Sequence, residues 1–360
     1  MFWFDLVTPK SVLFFKNIIF ELEKRGYPIV VTTRYADDYR EVAELLDLYN
    51  MKFYTIGEFG GGDVLNKYKA SLDRQQKLLD FIKDKDIKLL ISLCSVDANR
   101  LAFGIKLPII NFYDIPLSDY KANFKKALPQ ARLTLPLSSF VFKPFVVPND
   151  IFLRFSLEKD QIYTYNFLDP LIWLVGFEPD KSYYINILKS LGADPSKPTI
   201  IIREEEYKSS YVDKKYPFLY EAIKELYKEI DVNFIIIPRY EVNYLKKEFP
   251  FAYILEKRVV IQHLLAFSSL FIGGGGTINI EATYFGIPTI STRSFISHYD
   301  NYLIENDMMI WVSSKEELKK KVKGLLGKDF KEKAKKFYSK MEVNTLDIVN
   351  KIIEVYKTLE

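Results

Sequence analysis

The chain has 360 residues, of which 48% are hydrophobic and 27% charged, and a net charge of +4. This composition excludes a disordered protein and fits two or three packed domains. The small positive excess is dispersed among acidic residues, which argues against a nucleic-acid binder, and no stretch reaches the roughly 18 uninterrupted apolar residues of a membrane span.

Met1–Val7 is predicted as a strand, and Val12–Arg25 as a helix with apolar residues at helical spacing, stopped by Gly26. Pro28–Thr33 reads as the next strand, Tyr39–Tyr49 as a helix and Met51–Ile56 as a short strand. Leu65–Asp84 is a long amphipathic helix, Lys88–Leu93 a strand of the buried type, Arg100–Gly104 a helix and Pro108–Phe112 a strand. Leu133–Phe155, apolar and rich in Pro and Phe, is expected to hold the last strands of this half. Asp169-Pro170 and Glu178-Pro179 then interrupt the periodicity.

It restarts with the strand Pro198–Arg203, the helix Tyr216–Lys228 and the strand Asn233–Pro238. The helix Tyr240–Phe249, the strand Phe251–Ile254, the helix His263–Ser268 and the strand Leu270–Ile272 follow. After a run of glycines come the helix Asn279–Phe285, the strand Pro288–Ser291 and a charged helical tail from Ser314 to Glu360. Such alternation predicts two doubly wound α/β halves, residues 1–165 and 166–330, with a last helix over 331–360 returning to the first half. Ligands are then expected at the carboxyl ends of the strands, in a central cleft that the halves face.

Met1-Phe-Trp-Phe-Asp5 lacks the basic and apolar regions of a signal peptide, so a cytoplasmic chain is expected. Few Cys, Met and Gln beside many Lys, Glu and Ile resembles the composition of thermophiles. Cys94, His263 and His298 are the only soft ligands and lie far apart in sequence, so no metal site is expected.

Gly273-Gly-Gly-Gly276 separates an apolar strand from a helix. The dinucleotide fingerprint fails there, because it would need a small residue at Ile278 or Asn279, and no Lys-Ser/Thr follows as in a Walker loop. What remains is a bare backbone at a helix N-terminus, able to hold phosphate, with Glu281 one turn in and able to take a ribose diol. The plainer alternative is a tight turn capped by Thr277, with Glu281 favoured near the helix start by the dipole.

The segment Gly273-Gly-Gly-Gly-Thr-Ile-Asn-Ile-Glu-Ala-Thr-Tyr-Phe-Gly-Ile-Pro-Thr-Ile-Ser291 resembles the donor loop and helix of GT-B glycosyltransferases. It is equally similar to that of the non-hydrolysing UDP-N-acetylglucosamine 2-epimerases. In both, a glycine-rich turn precedes a Glu, with Gly five and Pro seven residues later, as at Glu281, Gly286 and Pro288. Nearly the whole chain resembles an archaeal and bacterial family of unknown function with GT-B-like architecture. The shared features are Asp5, Thr8-Pro9 and Phe14-Phe15, then Pro238-Arg239, Leu264-Leu265 and the segment from His298 to Asp300.

The resemblance implies a metal-independent glycosyltransferase taking its sugar from a nucleotide-diphosphate donor, a UDP-sugar, with no further cofactor. It implies that Gly274, Gly275, Gly276 and Thr277 contact the diphosphate, that Glu281 binds the ribose and that Ile261–His263 edges the base. Arg203 and Arg239, each following a strand, are placed to meet phosphate, or else form surface salt bridges. Asp300 and Asn301 lie where relatives grip donor-sugar hydroxyls.

Where relatives often carry a first-loop His, this chain has Ser11, so the simplest general base is missing. Asp97 and Asp114 follow two strands of the first half and resemble acidic catalytic residues of the 2-epimerases; one could deprotonate an acceptor hydroxyl. Asp97 could instead be a helix N-cap and Asp114 a turn residue, and Asp5 reads as buried and structural. A 2-epimerase and a non-catalytic nucleotide-sugar-binding protein are the alternatives. A lipid-linked acceptor at the inner membrane face is a further expectation, from Phe14 and Phe15 bordered by Lys121, Lys125, Lys126 and Arg132. Phe14 and Phe15 also share helical spacing with Ile18, Ile19 and Leu22, which reads as core.

Overall fold

Short runs rich in Ile, Val, Leu and Phe become strands buried on both faces, which only a parallel sheet with helices on either side can accommodate. A computed structural model describes residues 1–35, 40–204, 218–239 and 242–359. The chain divides into two units, Met1–Trp173 with Glu342–Glu360, and Leu174–Met341.

The first unit contains β1 (Phe2–Asp5), β2 (Ile29–Tyr35), β3 (Tyr54–Glu58) and β4 (Leu89–Ser92). It continues with β5 (Ile109–Phe112), β6 (Phe140–Pro144) and β7 (Ile162–Tyr165). They pair in parallel in the order β3-β2-β1-β4-β5-β6-β7. Connecting them are α1 (Pro9–Lys24), α2 (Glu41–Leu48), α3 (Val64–Ile82), α4 (Val96–Gly104), α5 (Pro129–Thr134) and α6 (Asn149–Leu153). The short α7 (Leu171–Leu174) ends the unit.

The second unit has β8 (Thr199–Arg203), β9 (Asn233–Ile237), β10 (Tyr253–Ile254), β11 (Leu270–Gly273), β12 (Thr289–Ser291) and β13 (Ile310–Trp311). Their parallel order is β10-β9-β8-β11-β12-β13. Its helices are α8 (Lys181–Leu191), α9 (Phe218–Leu226), α10 (Val242–Glu248) and α11 (Ile261–Phe267). After them come α12 (Gly276–Tyr284), α13 (His298–Glu305), α14 (Lys315–Leu325) and α15 (Lys331–Tyr338). The final helix, α16 (Thr345–Leu359), belongs to the first unit, where Tyr356 packs edge-on against Phe2 at 4.8 Å.

Strand pleating sorts the second core by alternation. Ile200, Ile202, Phe234 and Ile236 join α9 and α14 on one face, while Ile201, Ile235 and Phe271 join α8 and α11 on the other. Complete burial of each such side chain contributes about 1.5–3 kcal/mol relative to exposure. In the first unit Phe14 and Phe15 stack edge-on against Phe112 at 5.3 and 5.0 Å. Both are 0% exposed, so they are core, and the apolar rim expected to meet a lipid acceptor is not there.

Several boundaries differ from expectation. The division falls after Trp173 instead of residue 165, and the return begins at Glu342 instead of 331. Residues 331–338 form α15, whose Tyr338 hydroxyl meets that of Thr283 in the second unit at 2.6 Å. Leu133–Phe155 holds one strand, β6, together with the end of α5 and all of α6. The last strand, β7, lies beyond it, where a four-residue edge strand with half-exposed side chains carries little hydrophobic signal. The expected helix starts at Tyr39, Tyr216 and Tyr240 and the chain end at Glu360 lie outside the described residues.

At the switch between β1 and β4 the first sheet holds a buried ion pair. Asp5 ends β1 and is 0% exposed; Arg74 of α3 grips it with two hydrogen bonds of 2.7 and 3.0 Å. The Thr32 hydroxyl donates to Asp5 at 2.5 Å, the Ser95 hydroxyl donates to its other oxygen, and Arg74 Nε donates to the Ile56 carbonyl at 2.9 Å. Burial alone would raise the Asp5 pKa, but the Arg74 charge and these hydrogen bonds outweigh it and hold the carboxyl below its ordinary value.

Removing one partner of a buried pair strands the other charge. Arg74→Met should therefore cost about 3–5 kcal/mol in urea unfolding, and Asp5→Leu with Arg74→Met should recover most of it. Because the folded pKa of Asp5 is depressed, its contribution is full above about pH 4 and is lost as pH falls further. An Arg74→Met protein as stable as wild type would contradict this.

Candidate functional site

In the second unit, β8 and β11 are neighbours at the point where the strand order reverses, and ligands of open α/β sheets bind at the carboxyl ends there. The glycine run occupies that position. The Gly274 N–H donates to the Arg203 carbonyl at 3.0 Å, tying the turn to β8. Glycines 273–276 all keep φ outside the left-handed region, and at Gly273 and Gly276 it is space that the missing side chain supplies. A Cβ on Gly273 would lie 2.1 Å from Asn279 Oδ1 and 2.3 Å from the Phe271 ring. One on Gly276 would lie 2.9 Å from Arg293 Nη1, and one on Gly275 3.7 Å from Arg239 Nη2.

The helix begins one turn earlier than expected, with Gly275 as N-cap and no side-chain cap. Thr277 therefore sits inside the first turn and is not the cap. The result is an uncapped helix N-terminus with two guanidinium groups drawn close to its glycines, an arrangement suited to anions. Asn279, in the same turn, is fully buried, and among the described residues neither its Nδ2 nor its Oδ1 has a hydrogen-bond partner. At the far end of the motif Gly286 has φ +70°, and the Lys331 Cα lies 2.4 Å from where its Cβ would be. That glycine makes room for the start of α15.

Arg293, not expected from the sequence, lies beside Gly276. Its Nη1 donates to Asp300 Oδ2 at 2.5 Å, and its carbonyl accepts from Trp311 Nε1 at 2.9 Å. Phe295 lies under the guanidinium at 4.1 Å. Asp300 Oδ2 also accepts from the Ser297 N–H at 2.9 Å and the Ser297 hydroxyl at 2.6 Å. With 2% exposure, Asp300 orients Arg293 and closes the capping box of α13. Arg293 and Asp300 are seven residues apart with the capping Ser297 between them, and that spacing was the available signal.

The two predicted arginines divide. Arg203 Nη1 donates to the Pro238 carbonyl at 2.6 Å, fastening the end of β8 to that of β9. Arg239 is anchored through its N–H to Glu204 at 2.8 Å and extends its guanidinium toward Gly275. Glu281, 3% exposed, accepts from Gln262 Nε2 at 2.8 Å, joining α12 to α11. This links Glu281 to the Ile261–His263 segment through its middle residue. Ile261 packs against the α8 face of the core. His263 turns instead to the start of α8: its Nδ1 accepts from the Asp180 N–H at 2.9 Å. Its ring lies 4.7 Å from Phe177 and 4.6 Å from Tyr183, and burial lowers its pKa.

The first unit presents a different cluster at its carboxyl edge. Lys10, in the first turn of α1, reaches Asp114 Oδ2 at 2.5 Å and Asp169 Oδ2 at 2.6 Å. The Tyr165 hydroxyl donates to Asp169 Oδ1 at 2.7 Å. Burial pulls the Lys10 pKa down, but the two carboxylates outweigh it and the net direction is up. Burial and Asp169 raise Asp114 despite Lys10.

Of the expected catalytic residues, only Asp114 lies in this cluster. Ser11 accepts from the Thr8 N–H at 3.2 Å and donates to the Thr8 carbonyl at 2.6 Å, so it serves the cap of α1. Asp97 is neither an N-cap, which is Ser95, nor an open carboxylate. It accepts from the Ser71 hydroxyl at 2.5 Å and from Arg74 at 3.3 Å.

The packing around the glycine turn predicts that Gly273→Ala destabilises the protein by about 1–3 kcal/mol through overpacking, measured by thermal unfolding. Gly276→Ala should cost less, because the atoms it meets are the end of a movable arginine side chain.

A relative from Methanocaldococcus jannaschii, an uncharacterized protein, is 30% identical over 329 residues, 91% of this chain and 92% of its own length. The solved UDP-GlcNAc 2-epimerase of Methanocaldococcus jannaschii, in complex with UDP-GlcNAc and UDP, superposes with TM-score 0.68 at 16% identity, over 91% of this chain and 93% of its own. A spinosyn rhamnosyltransferase complexed with thymidine diphosphate superposes with TM-score 0.62 at 15% identity, over 98% and 99%. At such identity the likeness is one of fold, and the architecture is GT-B-like. A family match spans residues 1–358, and the chain belongs to that family, described as a protein of unknown function, DUF354.

Proposed function

We propose that the protein is a glycosyltransferase that takes a sugar from a nucleoside-diphosphate donor, a UDP-sugar, held at the start of α12. The observation that carries this reading is the uncapped N-terminus of α12 with Arg239 and Arg293 drawn up to glycines 275 and 276. The helix dipole and two guanidinium groups supply positive charge where a leaving diphosphate would develop negative charge. Glu281, fixed by Gln262, is assigned to the ribose hydroxyls. Support comes from two fold relatives whose structures hold UDP-GlcNAc, UDP or thymidine diphosphate.

The 2-epimerase reading is weaker. It needs several open carboxylates in the first unit, whereas Asp97 is engaged by Ser71 and Arg74. A lipid-linked acceptor now rests on the basic stretch around Phe124 alone, with Arg132 and Arg154 at 5.4 and 4.2 Å from its ring, since Phe14 and Phe15 are core. Among the described residues no helix is long and apolar enough to cross a membrane.

Calorimetry with UDP and UDP-sugars tests the donor site. Glu281→Ala should weaken binding by about 1.5–3 kcal/mol, the range for a hydrogen bond to a charged group. Unchanged affinity in a folded Glu281→Ala protein would refute the assignment. Product analysis by NMR separates the activities, because transfer requires an acceptor while epimerisation yields a new isomer without one.

A further inference from the structure

The loop that leaves the carboxyl end of β5 closes on itself. The Ser118 N–H donates to the Lys126 carbonyl at 3.0 Å and the Leu128 N–H to the Pro116 carbonyl at 3.0 Å, while Leu117 bridges Ala127. At its tip the Asn123 side chain accepts from the Lys125 N–H at 3.1 Å, and this turn presents Phe124. Phe124 packs against the buried Phe155 at 4.8 Å. Its ring carries two guanidinium groups, that of Arg154, after α6, at 4.2 Å and that of Arg132, on α5, at 5.4 Å. Arg132 Nη2 also donates to the Phe124 carbonyl at 3.3 Å. With Asn123 and Lys125 these groups line an open pocket of about 410 Å³. Its segments follow β5 and β6, off the edge of the sheet where ligands of open α/β folds bind.

No acidic side chain lines this pocket, and among the described residues none of its three cations has an ion-pair partner. Elsewhere on the surface a lysine such as Lys319 is matched by Glu225 and Glu229 at 2.6 and 2.8 Å. Like charges gathered on one ring repel, and a bound dianion offsets that repulsion. A phosphoryl group fits: it carries a charge of about −1.5 to −2 near pH 7 and offers three acceptor oxygens. Guanidinium groups held against a ring lose less freedom on gripping such oxygens, and each can do so with two parallel hydrogen bonds. We propose that this pocket binds the phosphoryl group of a small water-soluble phosphate ester, with Arg132 and Arg154 holding its oxygens and Lys125 adding charge. A bilayer suits the pocket less, because the aromatic ring in its lining is engaged by the two guanidinium groups and by Phe155. The site lies in the first unit and stands without the donor-site reading.

The test uses the full chain with nitrogen-15-labelled arginine, whose Nε–H signals are assigned by substitution. Glucose 1-phosphate should shift the Arg132 and Arg154 signals saturably, while glucose, and chloride at the same ionic strength, leave them in place. Arg132→Gln together with Arg154→Gln should weaken this binding by about tenfold or more, and Lys125→Gln by less. Thermal unfolding of these variants should stay close to wild type, because all three side chains are exposed. The signals of Arg239 and Arg293 report the start of α12 separately, so the donor-site reading holds or fails by itself. Phosphatidylcholine vesicles with and without phosphatidic acid offer the same group as a lipid headgroup. Binding to the acidic vesicles without binding of glucose 1-phosphate overturns the proposal. So do arginine signals that glucose 1-phosphate leaves unmoved or that chloride moves equally, and so does full affinity in the folded double variant.

Discussion

The central strands of both sheets are largely apolar on both faces, and much of the structure follows from that constraint. A strand such as Ile200-Ile201-Ile202 gives alternate side chains to two cores and has no face left for a polar group. Many of the polar side chains that enter the interior sit at or beyond the strand ends, where backbone groups, helix termini and other side chains can satisfy them. Asp5, Ser92 and Arg203 each stand at the last position of a strand, and all are buried.

The two units meet this constraint differently. The first uses charge against charge. Asp5 is matched by Arg74, which also takes Asp97, and both Asp5 and Arg74 are fully buried. Lys10 between Asp114 and Asp169 is the same device, one cation between two carboxylates, with partial exposure of Lys10 and Asp114. The second unit works by removing atoms: its glycines bring backbone N–H groups and the guanidiniums of Arg239 and Arg293 together, without a side chain between them. Asp300 completes this by holding Arg293 in place, and its removal would free the guanidinium from Gly276.

Local patterns determined much of this protein. The alternation of apolar runs and helical spacing prescribes two doubly wound halves, because a strand buried on both faces and an amphipathic helix each announce themselves within ten or so residues. The glycine turn with Glu281, Gly286 and Pro288 was legible for the same reason: turn, helix and next strand lie in one segment. Weak, short elements such as β7 and β13 were not, since a few half-exposed residues carry no periodicity.

Tertiary structure alone decided which polar residues are engaged and which are open. Lys10 and Asp114 are 104 residues apart and Arg74 and Asp5 are 69 apart, so no spacing announces either pair. Asp97 and Asp114 look alike in sequence, each an aspartate soon after a strand, yet the fold sets one against an arginine and the other against a lysine. Likewise Asp300 follows a strand as a sugar-binding residue would, but its partner is Arg293, and His263 points to the start of α8. A residue type and its local spacing specify what a side chain can do; the charges that folding places within a few ångströms determine what it does.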